Sequence, residues 1–114
     1  MYALRDLADV LEGEGKWAEA ETLHREALVS WRKGEAKGGS ETAYTLHKLG
    51  VALGAEGKWP QAETVYRQEL ELRREQVGAD DPDALYALRN LGITLEFEGK
   101  WAEAENVHRE ALAS

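Results

Sequence analysis

The stretch GKWAEAETLHREAL, residues 15–28, occurs three times in this chain. It returns as GKWPQAETVYRQEL at residues 57–70 and as GKWAEAENVHREAL at residues 99–112, with a constant period of 42 residues. A fixed period of roughly 20–50 residues is typical of a repeat array, in which each unit buries its apolar face only against neighbouring units. The repeat is therefore the unit from which the fold is built.

The 114 residues correspond to two full periods and a shorter third one. We therefore expect a single array over residues 1–114, divided into repeats at 1–42, 43–84 and 85–114, of which the last is truncated. Met1 leads directly into repeat sequence, whereas natural arrays usually have polar capping units at both ends. The chain is accordingly expected to be a fragment of a longer protein.

Composition and apolar spacing both predict helices. The chain is 43% apolar and 32% charged, and it contains only two prolines. Leu4, Leu7 and Leu11 have the spacing of one helical stripe, and the stripe returns in each later repeat. Gly15 follows the first such helix, at the position where a glycine commonly ends one. These patterns predict six helices, near residues 2–13, 17–33, 42–55, 59–77, 84–97 and 101–113.

One position of this stripe is almost without a side chain in every repeat. It is occupied by Ala8, Gly50 and Gly92. Glycine inside a helix is destabilising by about 0.5–1 kcal/mol relative to alanine, so its presence calls for a structural reason. We expect the backbone of another helix to approach closely at this position.

The net charge argues against two classes of partner. With 22 acidic and 14 basic residues the net charge is −8, and such a field repels phosphate backbones and anionic membranes. We therefore expect neither nucleic acid nor a membrane as a partner, and no apolar run approaches the ~18–20 residues of a membrane span. Cysteine is absent, which excludes disulfides and thiolate metal sites and favours a cytoplasmic protein.

The histidines are the first candidates for chemistry. His24 and His108 occupy equivalent positions, and Tyr66 takes their place in the second repeat. Side chains two stacked units apart do not share a metal, and the exchange of histidine for tyrosine favours a packing role. No nucleophile–histidine arrangement and no phosphate-loop spacing is present. The sequence predicts no enzyme activity, no metal site and no cofactor.

Two helices per period, joined by a glycine turn, carry a known pattern. In the first and third repeats its residues are Leu7, Ala8, Leu11, Gly15, Ala20, Ala27 and Leu28, and Leu91, Gly92, Leu95, Gly99, Ala104, Ala111 and Leu112. They resemble the signature of the tetratricopeptide repeat, and the 42-residue period is similar to that of kinesin light chains and bacterial tandem arrays. The resemblance implies an all-α fold, a right-handed superhelical solenoid of about three antiparallel helix-turn-helix units.

The second repeat departs from this pattern at Glu69, where the other repeats have Ala27 and Ala111. The position lies on the buried side of the second helix. Because a desolvated carboxylate without a partner is costly, we expect Glu69 to pair with Arg73, one turn further on, or with a basic residue of a neighbouring repeat.

A candidate binding surface lies on the first helix of each repeat, opposite the leucine stripe. The resemblance implies that this face lines a concave groove that takes up extended or helical peptide segments. The candidate groove residues are Tyr2, Arg5, Asp9, Tyr44, His47, Lys48, Val51, Tyr86, Arg89, Asn90, Ile93 and Phe97. Exposed aromatic and apolar residues beside arginine are typical of a binding surface, but tyrosines that merely pack between adjacent repeats remain an alternative.

The sequence thus favours a non-catalytic scaffold that binds a protein or peptide through this face. Two alternatives stay open: a structural module that stacks with other copies of itself, and a regulatory segment of a larger enzyme. The first and third repeats differ in the quoted stretch only at Thr22/Asn106 and Leu23/Val107. We therefore expect that a second copy can stack end to end on the first, giving a homo-oligomer.

Overall fold

A computed structural model describes the backbone of residues 2–34, 39–78 and 81–113, and the side chains of residues 6–29, 41–76, 78 and 81–113. These residues form six α-helices and no strand. The helices are α1 (Tyr2–Gly13), α2 (Trp17–Gly34), α3 (Gly39–Ala55), α4 (Trp59–Val77), α5 (Pro82–Phe97) and α6 (Trp101–Ala113). The predicted all-α fold is confirmed, and every predicted helix boundary lies within three residues of the observed one.

A glycine sets the turn inside each repeat. Gly15, Gly57 and Gly99 have φ angles of +79°, +78° and +78°, in the left-handed region that other residues avoid. The first helix ends here, because the N–H of Lys16 donates a hydrogen bond of 2.8 Å back to the carbonyl of Leu11. The other two repeats have the equivalent bond. The second helix begins one residue later, so the two helices of a repeat run antiparallel.

Between the second and third repeats, the start of α5 is capped by a side chain. Asp81 precedes the helix in an extended conformation, and its Oδ1 accepts a hydrogen bond of 2.9 Å from the N–H of Asp83. Pro82 is the first helical residue, where a missing N–H leaves no bond unmade. The cap and the proline together begin the helix two residues before the position that the sequence predicts.

Consecutive helices pack against one another, so the three hairpins stack in chain order. Lys48 of α3 contacts Glu12 of α1, and His47 of α3 contacts Tyr86 of α5. The first helices α1, α3 and α5 therefore form one layer. An ion pair joins α4 to α6 in the same way, which makes the second helices the other layer of the solenoid.

The leucine stripes form the core between the two layers. Its buried members include Leu46, Leu49, Leu53, Leu88, Leu91 and Leu95, together with Leu28, Val65 and Leu70 of the second helices. Leu7 is an exception, because it is half exposed although its equivalents Leu49 and Leu91 are buried. Leu28 of α2 lies beside Leu49, whereas no described helix covers that side of α1.

At Gly50 and Gly92, the small position of the stripe faces a ring rather than a backbone. A Cβ added to Gly50 would lie 2.8 Å from Cε1 of Tyr66, and one added to Gly92 would lie 2.6 Å from Cε1 of His108. Both rings belong to the second helix of the same repeat. The predicted approach of another backbone is therefore wrong, because a side chain fills the space that the missing Cβ leaves.

Each contact between repeats contains two glutamates and a lysine. The Nζ of Lys58 donates a hydrogen bond of 3.1 Å to Glu21 of α2 and lies 3.6 Å from Oε2 of Glu56, so the two glutamates meet at one lysine. The next contact repeats this arrangement, because the Nζ of Lys100 donates to Glu63 over 3.0 Å. In both cases a glutamate of one second helix meets the turn of the following repeat, so these polar residues fix how consecutive repeats are placed.

The pKa values of the two carboxyl groups in each pair move in opposite directions. The hydrogen bond to Glu21, and then burial, raise the pKa of Glu56, while the same bond lowers the pKa of Glu21 to about 2. Burial and the bond to Glu63 raise the pKa of Glu98. Burial alone would raise the pKa of Glu63, but hydrogen bonds to Glu98 and Lys100 lower it to about 2. A protonated Glu56 or Glu98 can donate across the contact to a carboxylate that otherwise repels it.

We expect the free energy of unfolding to depend on pH through these pairs. A raised pKa means that the folded chain holds the proton more tightly, so the contribution of Glu56 and Glu98 is present at acidic pH and is lost as the pH rises through their raised values. The lowered pKa of Glu21 and Glu63 adds stability above their unfolded value of 4.5, and this is lost only as the pH falls towards about 2.

Glu56→Gln combined with Glu98→Gln keeps a donor at both positions and removes the titration. Above pH 4.5, where the contribution of Glu21 and Glu63 is complete, the wild-type melting temperature should fall with rising pH more steeply than that of the double variant, and thermal unfolding measures both. Identical pH profiles for the two proteins in this range would contradict the raised pKa of Glu56 and Glu98.

Gly50→Ala and Gly92→Ala form a matched pair that tests the ring contacts. The first repeat already combines Ala8 with the imidazole of His24. We therefore expect Gly92→Ala to be neutral or to stabilise by up to about 1 kcal/mol through helix propensity. The larger ring of Tyr66 is buried, so Gly50→Ala should destabilise by about 1–3 kcal/mol. Urea unfolding measures both, and equal effects would contradict the ring explanation.

Candidate functional site

The first-helix face, defined as the outward side of α1, α3 and α5, carries the candidate groove residues. The exposed ones are Asp9, Tyr86, Arg89, Ile93 and Phe97, and the half-buried ones are Tyr44, His47, Lys48, Val51 and Asn90. The side chains of Tyr2 and Arg5 lie outside the described residues. Among these candidates, Lys48 lies near Asp9 and His47 contacts Tyr86, and most of those on α5 are exposed.

Lys48 joins α1 to α3. Its Nζ lies 2.8 Å from Oε1 of Glu12 and 3.5 Å from Oδ1 of Asp9. Burial alone would lower the pKa of Lys48, but the hydrogen bond and charge of Glu12 raise it. The other oxygen of Glu12 lies 2.7 Å from Nε2 of His24. Lys48 is therefore part of a polar network between the first two repeats, and its charge is paired with carboxyl groups of the array itself.

A second polar network lies beneath the part of the face formed by α3 and α5. Glu69 is completely buried and accepts a hydrogen bond of 2.7 Å from Nε of Arg73, which confirms the predicted pairing. Its other oxygen lies 3.5 Å from Nδ1 of His47. Neither of these last two atoms has a hydrogen bond to a described residue. The buried carboxyl group and the imidazole therefore lie next to each other just beneath the surface.

His47 lies between two tyrosine rings. Its ring centroid is 6.3 Å from that of Tyr66 and 5.4 Å from that of Tyr86, at interplanar angles of 55° and 48°. Burial, and then the charge of Glu69, raise the pKa of Tyr66, so its phenol stays neutral. A continuous row of side chains therefore runs from a buried carboxylate to Tyr86, which is 51% exposed.

Phe97 is 62% exposed, yet one side of its ring is covered. It stacks on Trp59 with ring centroids 4.3 Å apart and an interplanar angle of 5°. Trp59 lies in turn against Gly54, where an added Cβ would be 3.0 Å from the indole. Phe97 therefore packs between the second and third repeats with one face of its ring and presents the rest to solvent.

The side chains on this face offer apolar and polar contacts that a binding partner could use. They provide aromatic and apolar surface, the exposed guanidinium of Arg89 and the side-chain amide of Asn90. Among the residues that the structure describes, no group of three or more His, Cys, Asp or Glu is placed to hold a metal ion. Within the same ranges, no helix combines the length and the apolar character needed to cross a membrane.

The sequence analysis missed the partners of the two equivalent histidines. His24 is buried, as a packing role requires, but it also lies against Glu12, and Nε2 of His108 lies 2.7 Å from Glu96 in the same way. The sequence does contain a signal for these pairs. The second repeat replaces both partners together, with a tyrosine and a glycine.

The model of the tetratricopeptide repeat matches residues 1–75 and 41–114, and these two matches together span the chain. The chain belongs to the tetratricopeptide repeat family. A search of curated proteins finds no match. The family generally mediates protein–protein interactions and typically acts as a non-catalytic scaffold.

Solved structures have the same fold as this tetratricopeptide array. The crystal structure of BtubC (BKLC) from P. vanneervenii has 24% identity and a TM-score of 0.80, over 96% of this chain and 43% of that one. The putative kinesin light chain TPR-like repeats from Podosopora anserina have 18% identity and a TM-score of 0.83, over 98% of this chain and 53% of that one. The array thus spans about half the length of the structures that it matches.

A second crystal structure of the Podosopora anserina repeats, which carries a single substitution, gives the same picture, with 18% identity and a TM-score of 0.81. The predicted solenoid and its similarity to kinesin light chain repeats are confirmed by these structures. Similarity at such low sequence identity shows the fold and does not indicate the partner of this tetratricopeptide array.

Proposed function

We propose that this tetratricopeptide array is a non-catalytic scaffold that binds a protein or peptide segment through the first-helix face, centred on α5. The observation that carries the proposal is a row of exposed side chains, Tyr86, Ile93 and Phe97. They stand at i, i+7 and i+11, so they share one side of the helix. Because a helix face that meets only solvent favours polar residues, such a row beside Arg89 is typical of a binding surface.

The half-buried residues of α3 support this choice of surface. Val51 and His47 lie in the α3 positions equivalent to Ile93 and Arg89, and both are half-buried. A segment laid across both helices would bury apolar surface of each, worth roughly 25 cal/mol per Å². The amide of Asn90 offers a donor and an acceptor to a peptide main chain.

Preorganisation also favours the α5 row. Tyr86 is packed against His47, which lies over the buried Glu69, and Phe97 is stacked on Trp59. Side chains that are already ordered lose less conformational entropy when a partner binds. Lys48 is paired within the array, so Arg89 is the cation that we assign to the ligand.

Ile93→Asp should weaken binding while leaving the fold intact. A peptide selected from a displayed library against the wild-type chain provides the ligand, and calorimetry measures its dissociation constant. A carboxylate placed in an apolar contact is strongly disfavoured, so we expect the dissociation constant to rise more than about tenfold. Ile93 is 41% exposed, so helicity and melting temperature should change little.

Val29→Asp is the matched control. Val29 is a β-branched residue within α2, in the other layer, and it is 55% exposed. This variant should bind the peptide as the wild type does. Equal loss in both variants, or loss in neither, would contradict the proposal. Phe97→Ala is a less clean test, because it also removes the stack on Trp59.

A further inference from the structure

The second repeat departs from the other two at a pair of residues that meet beneath the first-helix face. In the repeat register, His47 takes the place of an arginine and Glu69 takes the place of an alanine. The equivalent residues of the other repeats are Arg5 and Arg89 at the first position, and Ala27 and Ala111 at the second. The second repeat lies between the other two, so described helices on both sides surround this pair.

The carboxyl group of Glu69 has a hydrogen-bond partner for only one of its oxygens. The residue is 0% exposed, and Oε2 accepts a hydrogen bond of 2.7 Å from Nε of Arg73. Oε1 lies 3.5 Å from Nδ1 of His47, and neither of these atoms has a hydrogen bond to a described residue. Because a buried acceptor without a donor is costly, this oxygen favours an imidazole that carries a proton on Nδ1.

A proton on Nδ1 leaves Nε2 as the nitrogen of His47 that remains for a partner. Nδ1 is buried, whereas the side chain as a whole is 17% exposed, so its exposed surface belongs to other atoms. The neutral imidazole with its proton on Nδ1 accepts a hydrogen bond at Nε2, and the imidazolium donates from both nitrogens. The charge of His47 therefore decides which kind of group a partner can place against it.

The groups that face the imidazole from α4 are a carboxyl group, a guanidinium and a phenol. Glu69 lies against Nδ1, and Arg73 lies on the far side of Glu69. The ring of Tyr66 has its centroid 6.3 Å from that of the imidazole. Burial, and then the charge of Glu69, raise the pKa of Tyr66, so this phenol carries no charge. On the α4 side, Glu69 is thus the hydrogen-bond acceptor beside Nδ1.

The other helices around α3 contribute fewer charges near the imidazole. On α5, the ring of Tyr86 has its centroid 5.4 Å from that of the imidazole, and Arg89 is exposed, so that solvent and salt screen its charge. Asp83, also on α5, lies 4.0 Å from Arg73. On α3 itself, Lys48 is paired with carboxyl groups of α1. Among the described groups, these neighbours leave Glu69 as the acidic group closest to the imidazole.

We propose that His47 determines the specificity of the first-helix face by binding a carboxylate of the partner together with a proton, and that Glu69 is its positioning residue. This proposal rests on the proposed binding function. A neutral imidazole has one N–H, which it cannot donate to Glu69 and to a partner carboxylate at once, whereas the imidazolium has two. The second proton comes from solvent and stays on His47 while the partner is bound.

Partner affinity should therefore depend on pH. Histidine side chains change charge between about pH 5 and pH 8, so the dissociation constant should fall as the pH is lowered through this range. Aspartate and glutamate keep their charge above about pH 5, so the carboxylate of the partner is present throughout. Arg89, at the equivalent position of the neighbouring first helix, adds a charge that does not change with pH.

A peptide selected from a displayed library against the wild-type chain at about pH 6 provides the probe. Calorimetry measures its dissociation constant at about pH 6 and pH 8, and repeating it in buffers of different ionisation enthalpy counts the protons taken up. We expect the constant to be lower by about threefold or more at the lower pH, with net proton uptake on binding. Replacing the acidic residues of the peptide by the matching amides should remove both effects.

Two substitutions of His47 assign the effect to this residue. His47→Arg makes the charge permanent, so it should bind at about pH 8 as tightly as the wild type does at about pH 6, without proton uptake. His47→Gln has no charge and should bind weakly at both pH values. Both variants retain His24 and His108, which serve as internal controls, and circular dichroism checks that each variant is folded.

Glu69→Gln tests the positioning role in the chain without a peptide. The amide oxygen can still accept from Arg73, but the amide group then turns a donor towards Nδ1, which disfavours a proton there. NMR signals of the His47 ring should show that this variant is protonated only at lower pH than the wild type. Glu105→Gln is the matched control, because it removes the carboxylate from another i+4 pair, with Arg109, on α6. Equal titration of His47 in the wild type and in Glu69→Gln would overturn the role of Glu69.

The outcomes separate this proposal from the proposed function. A peptide that loses affinity in Ile93→Asp but binds equally at both pH values would overturn the role of His47 and leave the proposed function standing. So would a selected peptide without an acidic residue, or a pH dependence that persists in His47→Arg. A selection that yields no peptide sensitive to Ile93→Asp would contradict the proposed function itself, and this proposal with it.

Discussion

The first helices α3 and α5 are held in place because their leucines are covered from two sides, by the second helix of the same repeat and by that of the preceding one. α3 and α5 have both covers, and Leu49 and Leu91 are buried as a result. Taking such a leucine out of water contributes roughly 1.5–3 kcal/mol, more than an exposed ion pair at about 0–1 kcal/mol. Contact between neighbours is therefore the main source of stability, and Leu7 shows what one missing cover leaves exposed.

Leucine packing is not directional, so polar contacts between helices help to specify how the helices are placed relative to one another. In the first and third repeats a histidine of the second helix meets a glutamate of the first, as His24 meets Glu12. In the second repeat the place of that glutamate is taken by Gly54, against which the indole of Trp59 lies. A histidine would have no carboxylate there, and Tyr66 fills the site. The second repeat instead has a buried carboxyl group one turn further along α4, at Glu69, where the other two repeats have alanine.

The helices follow from the sequence because their causes are local: the leucine spacing, the left-handed glycines and the cap at Asp81 each act within a few residues. The contacts of Glu12 with His24 join residues 12 apart across a turn, beyond the i+3 and i+4 rules that a single helix provides. The exposure of Leu7 depends on whether another repeat covers it, and the helical spacing of the leucines does not indicate that. The candidate binding face stays a prediction. The pairing of Lys48 within the array and the stack of Phe97 on Trp59 depend on how neighbouring repeats meet, which the sequence pattern does not indicate.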